Sequence, residues 1–294
     1  MHQPIEDEQI IRQARFQMLE DIARDLAGDI CFPCVLDVSL QTRRTLQAPE
    51  CGEEATIAIA QLDPLIAASL IGLANRNAAE GSAPIFSLSA AIHQLGLPST
   101  RTFAHTLATE QLLASGELVQ FTALSTLLWS HSLSCAVAAR VLARHFTPID
   151  PDLAFLAGLV HDIGAFYMLY RATKYPELKS RPETLQYLIM QWHESIGESL
   201  LHALGLPAVL TEAVRDHDRP REAKFPPSSL SEVIFVANLL SGAIFEWQRN
   251  DVPEKQIVRP ELENPNYLVL FDEIAKEREH LLAPFSSLMP LISK

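Results

Sequence analysis

Apolar residues recur at helical spacing along most of the chain, and no stretch keeps the strict two-residue alternation of a half-buried strand. The pattern therefore predicts an all-α protein. In the first half, helices are predicted over residues 5–27, from Pro33 to about Leu46, over residues 64–77, between Ser87 and Gly96, and over residues 98–115 and 119–145. A central helix is predicted from Pro151 through HDIG into AFYMLYRATK. The later helices are predicted from Ser180 through His193, from Leu206 to His217, over SEVIFVANLLSGAIFEWQ, and over residues 268–282.

Polar residues mark where several of these helices begin. Asp63 and Asp150 each precede a proline, which is the arrangement of an N-cap residue followed by proline in the first helical turn. Ser87 is the predicted N-cap of the short helix that Gly96 ends. Prolines are frequent after residue 250, so only short helices fit there and the tail is predicted to be an extension.

Composition and charge narrow the class of protein. Of the 294 residues 48% are hydrophobic, which is enough for a sizeable core. The net charge of −13, without a stripe of lysine and arginine, disfavours a nucleic-acid-binding protein. Apolar runs are shorter than the roughly 20 residues of a membrane helix, and the first residues do not resemble a signal peptide. We therefore expect no nucleic-acid partner, no membrane and a cytoplasmic location.

Four cysteines in such a chain predict reduced thiols. Cys31 and Cys34 have the C-x-x-C spacing of redox and zinc motifs. However, no second C-x-x-C and no nearby histidine completes a zinc set. We interpret these residues as ordinary buried thiols.

The stretch LAFLAGLVHDIG, residues 153–164, carries the most informative polar residues. It is apolar on nearly every face of a helix, yet it ends in His161 and Asp162, which are costly to bury unless something pairs or ligates them. His131, His193 and His217 lie on other stretches that read as buried helices, and Asn238 lies on a further one. One such histidine is usually a core residue whose nitrogens bond the backbone. Three histidine-bearing helices beside an HD pair exceed what core packing requires, so we expect the side chains to converge, with or without a metal.

This pattern resembles the HD superfamily of metal-dependent phosphohydrolases, in which a histidine, an HD pair and a later aspartate hold a divalent ion. The flanking segments are similar to one bacterial signalling branch, the HDOD domain (HD-related output domain). The segments that carry the resemblance, over about residues 30–245, are FPCVLDVSLQTRRTL, ATIAIAQLDPLIAASLIGLANRN, SLSAAIHQLGLPSTRTFAHTLA, AFLAGLVHDIG, HESIGESLL and LGLPAVLTEAVRDHD. The resemblance implies an HD-like helical domain packed against an N-terminal helical lobe.

Domain boundaries follow from the same resemblance. We expect an N-terminal helix over residues 1–29 and an HDOD domain over 30–250. That domain divides into an N-terminal lobe, residues 30–115, and an HD-like lobe, residues 116–250. Residues 251–294 form the expected C-terminal helical extension.

The resemblance also implies a site, formed by His131, His161, Asp162, His193, His217 and Asn238, that would hold a divalent transition metal such as iron, manganese, zinc or nickel. Asn238 stands where the enzymes have their last aspartate, so Asp162 alone would offset the charge of the ion, which we expect to be weakly held or absent. Ala165 stands where the branch that cleaves cyclic dinucleotides has a lysine, DHDRPRE replaces its GYP loop, and Asp216 replaces the first of its paired histidines. A full two-metal site is therefore not expected.

These departures favour a non-enzymatic regulatory module over an enzyme. We expect it to pass a signal to a partner protein, with a small anionic ligand as a second candidate partner at the degenerate site. The alternative is a metal-dependent phosphohydrolase that acts on a nucleotide or cyclic dinucleotide, and a scaffold without ligand also stays open. Signal input would arrive by binding, so we expect an exposed apolar patch on the N-terminal lobe.

Overall fold

The structure is a computed structural model that describes residues 3–26, 28, 30–241 and 264–291. Every regular element in these ranges is helical, which confirms the all-α class. The helices of the first half are α1 (Gln3–Asp25), α2 (Leu36–Gln47), α3 (Glu53–Ala60), α4 (Pro64–Arg76), α5 (Leu88–Leu95) and α6 (Leu97–Ser115), followed by a 3-10 turn (Gly116–Phe121). The remaining helices are α7 (Thr122–Phe146), α8 (Pro151–Val160), α9 (Ile163–Ala172), α10 (Pro176–Lys179), α11 (Pro182–Ala203), α12 (Ala208–Val214), α13 (Leu230–Leu240), α14 (Pro265–Leu268) and α15 (Phe271–Leu282), with a final 3-10 segment (Ala283–Leu291).

The predicted N-caps are confirmed. Oδ1 of Asp63 accepts hydrogen bonds from the amides of Leu65 and Ile66 at 2.9 and 3.0 Å. Asp150 caps α8, and Ser87 caps α5 by accepting from Ala90. Gly96 ends α5 with a φ of +79°, a conformation that glycine adopts without steric cost.

Two helical lobes pack against each other in the part of the chain that the structure describes. The N-terminal lobe, α2–α6, contacts the HD lobe, α7–α13, chiefly where α4 lies on α8. Trp129 of α7 is fully buried, and its Nε1 donates to the carbonyl oxygen of Leu62 at 2.7 Å. Gly72 of α4 approaches the end of α11 so closely that a Cβ would lie 1.9 Å from the Leu204 oxygen. The lobes therefore meet through main-chain contacts as well as apolar side chains.

The prediction of one continuous central helix is wrong. The chain leaves the helical conformation at Asp162, with φ −100° and ψ 15°, so that α8 ends at Val160 and α9 begins at Ile163. Apolar residues continue on both sides of this turn, and helical periodicity therefore gives no sign of it. In a continuous helix His161 and Asp162 would point about 100° apart, whereas the turn brings their side chains into one cluster.

Other predicted boundaries need smaller corrections. The helix α12 ends at Val214, so His217 lies in the turn that follows rather than at the end of the helix. The helix α3 was not predicted. The tail helix predicted over residues 268–282 matches α15, which begins three residues later, and the short α14 precedes it. The predicted helix over SEVIFVANLLSGAIFEWQ matches α13, and its residues 242–248 lie outside the described residues, as do 251–263 of the predicted extension.

Helix α15 packs along α7 and is held there by ion pairs. Glu277 pairs with Arg144 and with Arg140, whose Nε lies 2.5 Å from Oε1. The imidazole of His145 lies 2.9 Å from Glu273. The described part of the C-terminal extension is therefore an integral layer of the HD lobe.

Two helical stretches, residues 97–146 and 151–172, are long and apolar enough to cross a membrane by length and composition. The most apolar window is 89% buried inside the protein in the second stretch and 33% buried in the first. Core helices pass the same test, so these stretches are weak evidence for a membrane span.

Candidate metal centre

Five of the six candidate residues converge in the middle of the HD lobe. His131 comes from α7, His161 and Asp162 from the turn between α8 and α9, His193 from α11, and His217 from the turn after α12. None of these five residues is more than 4% exposed. Two helices and two turns thus bring four imidazoles around a single carboxylate.

The first group of potential ligands surrounds Oδ2 of Asp162. This oxygen lies 3.2 Å from Nε2 of His161 and 3.5 Å from Nε2 of His131. The two Nε2 atoms are 3.1 Å apart. Three donor atoms, from α7 and from the turn between α8 and α9, therefore form a compact triangle.

The second group surrounds Oδ1 of the same carboxylate. This oxygen lies 3.2 Å from Nε2 of His217 and 3.4 Å from Nε2 of His193. These two nitrogens are 3.3 Å apart. Ligands that bind one metal ion with bonds of about 2.0–2.1 Å in tetrahedral geometry are separated by about 3.3 Å, so both triangles have the size that one ion requires.

The other ring nitrogens are occupied by the backbone. The Nδ1 atoms of His161, His193 and His217 lie 2.7 to 2.8 Å from carbonyl oxygens three or four residues earlier in the chain. A carbonyl oxygen only accepts, so each Nδ1 must carry the proton. In a neutral ring the lone pair is then on Nε2, which faces Asp162. Tethering of this kind is typical of histidines that bind metals.

His131 is oriented by a serine. The Ser241 hydroxyl donates to the carbonyl oxygen of Asn238 at 2.7 Å, which leaves its oxygen free to accept from Nδ1 of His131 at 3.0 Å. All four imidazoles therefore present Nε2 to the same carboxylate. Asp162 Oδ2 is fully buried and accepts no hydrogen bond of regular geometry from the residues that the structure describes, although Nε2 of His161 lies 3.2 Å away. Nε2 lone pairs and carboxylate oxygens that face each other at these distances repel unless a proton or a metal ion lies between them, so the cluster fits a cation.

The charges of the cluster are strongly coupled. Burial alone would lower the pKa of His161, but the adjacent Asp162 carboxylate raises that pKa well above its usual value. Burial would likewise raise the pKa of Asp162, and His161 and His217 instead hold it well below its usual value. Burial and the nearby His161 lower the pKa of His131 to about 4. The site therefore favours an ionised carboxylate.

Asn238 does not join the imidazoles through any contact among the described residues. Its Nδ2 donates to Oδ1 of Asp218 at 2.8 Å, and Asp218 in turn faces His193. A second carboxylate, Asp218, thus stands at the edge of the cluster, and the expectation that Asp162 alone offsets the charge of an ion stays a prediction. Whether the six predicted residues bind a metal stays a prediction.

Sequence reasoning missed Asp218, Glu194 and Ser241. A signal for two of them was present, since His193 and His217 are each followed by an acidic residue, as His161 is followed by Asp162. The amide of Asp218 donates to Oε1 of Glu194 at 2.9 Å, so the acidic partners of these two histidines also contact each other.

All four cysteines are free thiols, as expected. Burial, with nearby carboxylates, raises the pKa of Cys31 to about 12. Cys34 is fully buried, and burial also raises its pKa. These thiols are poor nucleophiles, consistent with our interpretation of the C-x-x-C motif.

A comparison with protein-family models gives a match to the HDOD domain over residues 32–220. The chain belongs to the HDOD domain family. The match agrees with the resemblance carried by the sequence motifs. It ends before α13, so Asn238 and Ser241 lie beyond it. A comparison with curated proteins gave no significant match.

Two solved structures with TM-scores above 0.5 share the fold of this chain. The MmoQ response regulator of Methylococcus capsulatus is 23% identical over 72% of this chain and 87% of that one, with a TM-score of 0.57. A second structure of MmoQ, of the fragment 20–298, is 22% identical over 85% and 92% of the two chains, with a TM-score of 0.58. An HDOD domain protein of unknown function from Geobacter sulfurreducens is 19% identical over 96% of both chains, with a TM-score of 0.41.

Proposed function

We propose that this HDOD protein is a signalling module that acts through protein partners rather than by hydrolysis. Its HD cluster, formed by His131, His161, Asp162, His193 and His217, would hold a divalent transition metal as a buried structural centre. The observation that carries this proposal is the burial of the site. His161 and Asp162 are fully buried, and the other three histidines are at most 4% exposed. A hydrolase must admit a substrate to its metal, whereas a structural site is closed.

The residues fit a cation of the iron, manganese, zinc or nickel class, because imidazole and carboxylate are ligands that all of these accept. His131, His161, Asp162, His193 and His217 would hold it. When bound, such an ion supplies two positive charges between lone pairs that otherwise repel. The protein residues provide the rest: the backbone carbonyls fix the imidazole tautomers, and the apolar core excludes water.

A metal-dependent phosphohydrolase that acts on a nucleotide or cyclic dinucleotide is the second candidate. It is favoured by the two donor groups that share Asp162, because paired metals bridged by a common ligand are typical of phosphoester hydrolysis. The same geometry runs against our expectation that a two-metal site is absent. We rank this function second because its substrate would have to reach donor atoms that are buried.

Action through a partner protein follows from membership in a family of signalling output domains and forms part of the proposal. The N-terminal lobe exposes the apolar side chains of Leu113 and Leu36, to 82% and 44%. A small anionic ligand would be a further regulator of the same centre.

Elemental analysis of the purified protein combined with a phosphodiesterase assay tests the proposal. We expect about one or two equivalents of a transition metal, loss of that metal in Asp162→Ala, and no turnover of bis(p-nitrophenyl) phosphate or a cyclic dinucleotide. Metal-dependent turnover that Asp162→Ala abolishes would establish the phosphohydrolase instead. A protein free of metal after growth in metal-supplemented medium would overturn the metal centre.

A further inference from the structure

Asp218 is the second carboxylate at the HD cluster. Its Oδ2 lies 3.5 Å from Nε2 of His193, and its Oδ1 lies 3.9 Å from Nε2 of His217. These are the two histidines that share Oδ1 of Asp162. Asp218 therefore borders the same triangle of donor atoms from the side that is nearer to solvent, since its side chain is 25% exposed.

Hydrogen bonds hold both the main chain and the side chain of Asp218 in place. Its backbone amide donates to Oε1 of Glu194 at 2.9 Å. Its Oδ1 accepts from Nδ2 of Asn238 at 2.8 Å. These two bonds fix one oxygen and the main chain, and they leave Oδ2 directed at His193. A carboxylate that is oriented by an amide hydrogen bond on one oxygen is the usual arrangement of a metal ligand and its supporting partner.

The distances agree with a shared ion. The 3.5 Å between Asp218 Oδ2 and His193 Nε2 is close to the 3.2 to 3.4 Å that separates the three donor atoms of the triangle. One bound ion would place its ligands about 3.3 Å apart in tetrahedral geometry. Asp218 lies outside the two groups whose donor atoms are all within 4.8 Å of one another, so its side chain would have to move toward the triangle to complete a set of four.

We propose that Asp218 is the second carboxylate ligand of the metal centre, and that Asn238 is a positioning residue that orients Asp218. This inference rests on the metal centre proposed above. Two carboxylates balance the two charges of a divalent ion, so the ion would be held more tightly than Asp162 alone would allow. The role of Asn238 explains why an amide can stand there, because a carboxylate has no N–H to donate to Asp218.

The inference reverses the expected effect of one substitution. If position 238 supplied a ligand, Asn238→Asp would add a charge to the ion and strengthen binding. If Asn238 orients Asp218, the same change replaces a 2.8 Å hydrogen bond with two carboxylates in contact. Like charges that close repel strongly in a poorly hydrated place, so metal affinity should fall.

Titration with Mn²⁺ of the full-length protein, grown in metal-depleted medium and dialysed against chelator, tests this. Loss of the electron paramagnetic resonance signal of the free ion reports binding without any need for activity. We expect Asp218→Asn to weaken Mn²⁺ binding about 100-fold and Asn238→Asp about 10-fold, in the range found for lost ligands and supporting residues. Asp216→Asn is the matched control, because Asp216 is exposed and two residues away, and asparagine tolerates its φ of +59°. It should bind as the natural protein does.

The outcomes separate the two proposals. Natural protein that binds no Mn²⁺ overturns the metal centre and this inference with it. Binding that survives Asp218→Asn, or that Asn238→Asp strengthens, overturns the role of Asp218 alone. Anomalous diffraction from Mn²⁺-soaked crystals of the natural protein needs no variant. We expect Asp218 Oδ2 within bonding distance of the ion, and an ion bound without Asp218 would contradict the inference even where the variants fail to fold.

Discussion

The backbones of Gly164 and Gly197 touch where α9 crosses α11. A Cβ on Gly164 would lie 2.1 Å from the carbonyl oxygen of His193 and 2.6 Å from the amide nitrogen of Gly197. A Cβ on Gly197 would find its nearest neighbour, the nitrogen of Gly164, 3.4 Å away. This helix crossing brings His193 close to Asp162. Of the two glycines, only Gly164 has no room for a Cβ.

Gly164→Ala should therefore destabilise the protein by about 3 kcal/mol, because the obstructing atoms belong to the backbone and cannot rotate away. Gly197→Ala is the matched control and should be neutral or slightly stabilising, since alanine is favoured over glycine within a helix. Urea unfolding of both variants measures the difference. Equal losses in the two variants would show that the helices do not cross this closely.

Asp162→Ala should lower the free energy of unfolding by about 3–5 kcal/mol, the usual cost of removing one member of a buried charged pair. The four imidazoles would then lose the carboxylate that they share, and the Nε2 atoms of His131 and His161 lie only 3.1 Å apart. Thermal unfolding with and without chelator gives the measurement. We expect chelator to lower the melting temperature of the natural protein and to leave that of Asp162→Ala unchanged. A variant with full stability but no signalling output would indicate instead that the site is read directly by a ligand.

Asp63 should make stability depend on pH. Burial raises the pKa of Asp63 to about 6, although hydrogen bonds from Ile66, Gln111 and Leu65 oppose the shift. The unfolded value is about 3.9, so the folded state binds the proton more tightly, and the free energy of unfolding should fall by about 3 kcal/mol as pH rises from about 4 to 6.

Asp63→Asn keeps the oxygen that caps α4 and removes the charge. The free energy of unfolding of Asp63→Asn should equal that of the natural protein at pH 4 and exceed it at pH 7. It should not fall between these two pH values. Asp150→Asn, at an exposed cap of the same kind, is the control and should not alter the pH profile. Urea unfolding at pH 4, 5, 6 and 7 gives the curves, and parallel curves for the Asp63 variant and the natural protein would refute the shift.

Glu277→Ala should loosen α15. Glu277 is 17% exposed and pairs with two arginines of α7, one of which also stacks over Phe155. Since the pairs are half-buried, we expect a loss of about 2 kcal/mol, between the costs of exposed and buried pairs. Hydrogen exchange should accelerate across residues 271–282 and remain slow in α8. Glu279→Ala, at an exposed position on the same helix, should change neither quantity.

Local chemistry explains which parts of the fold the sequence could predict. The caps at Asp63, Ser87 and Asp150 depend on a few adjacent residues, and all three are found in the structure. Helical periodicity also predicted most helices to within a few residues. The turn at Asp162 was missed because apolar, helix-compatible residues flank it on both sides, so only contacts with distant helices define it.

The candidate site was predictable as a set of histidines but not as a geometry. His131 and His217 were found because polar residues in apolar stretches need a reason to be buried. The pairing of Asn238 with Asp218, and of Ser241 with His131, joins residues that are far apart in the chain. No pattern within one segment encodes such contacts. The acidic residues that follow His193 and His217 are visible in the sequence. Whether their side chains face the cluster depends on the three-dimensional packing of the segments that carry them.

The enclosure of the HD cluster has a kinetic consequence. The five buried ligands are at most 4% exposed, so an ion can reach or leave them only slowly, past the partly exposed Asp218 or during local opening of the HD lobe. The metal ion that binds as the chain folds would then largely stay bound. The lifetime of the bound ion would depend on the rate at which the HD lobe opens rather than on the dissociation constant. The protein would carry a record of the ions present at its synthesis, which later changes in free metal could erase only slowly.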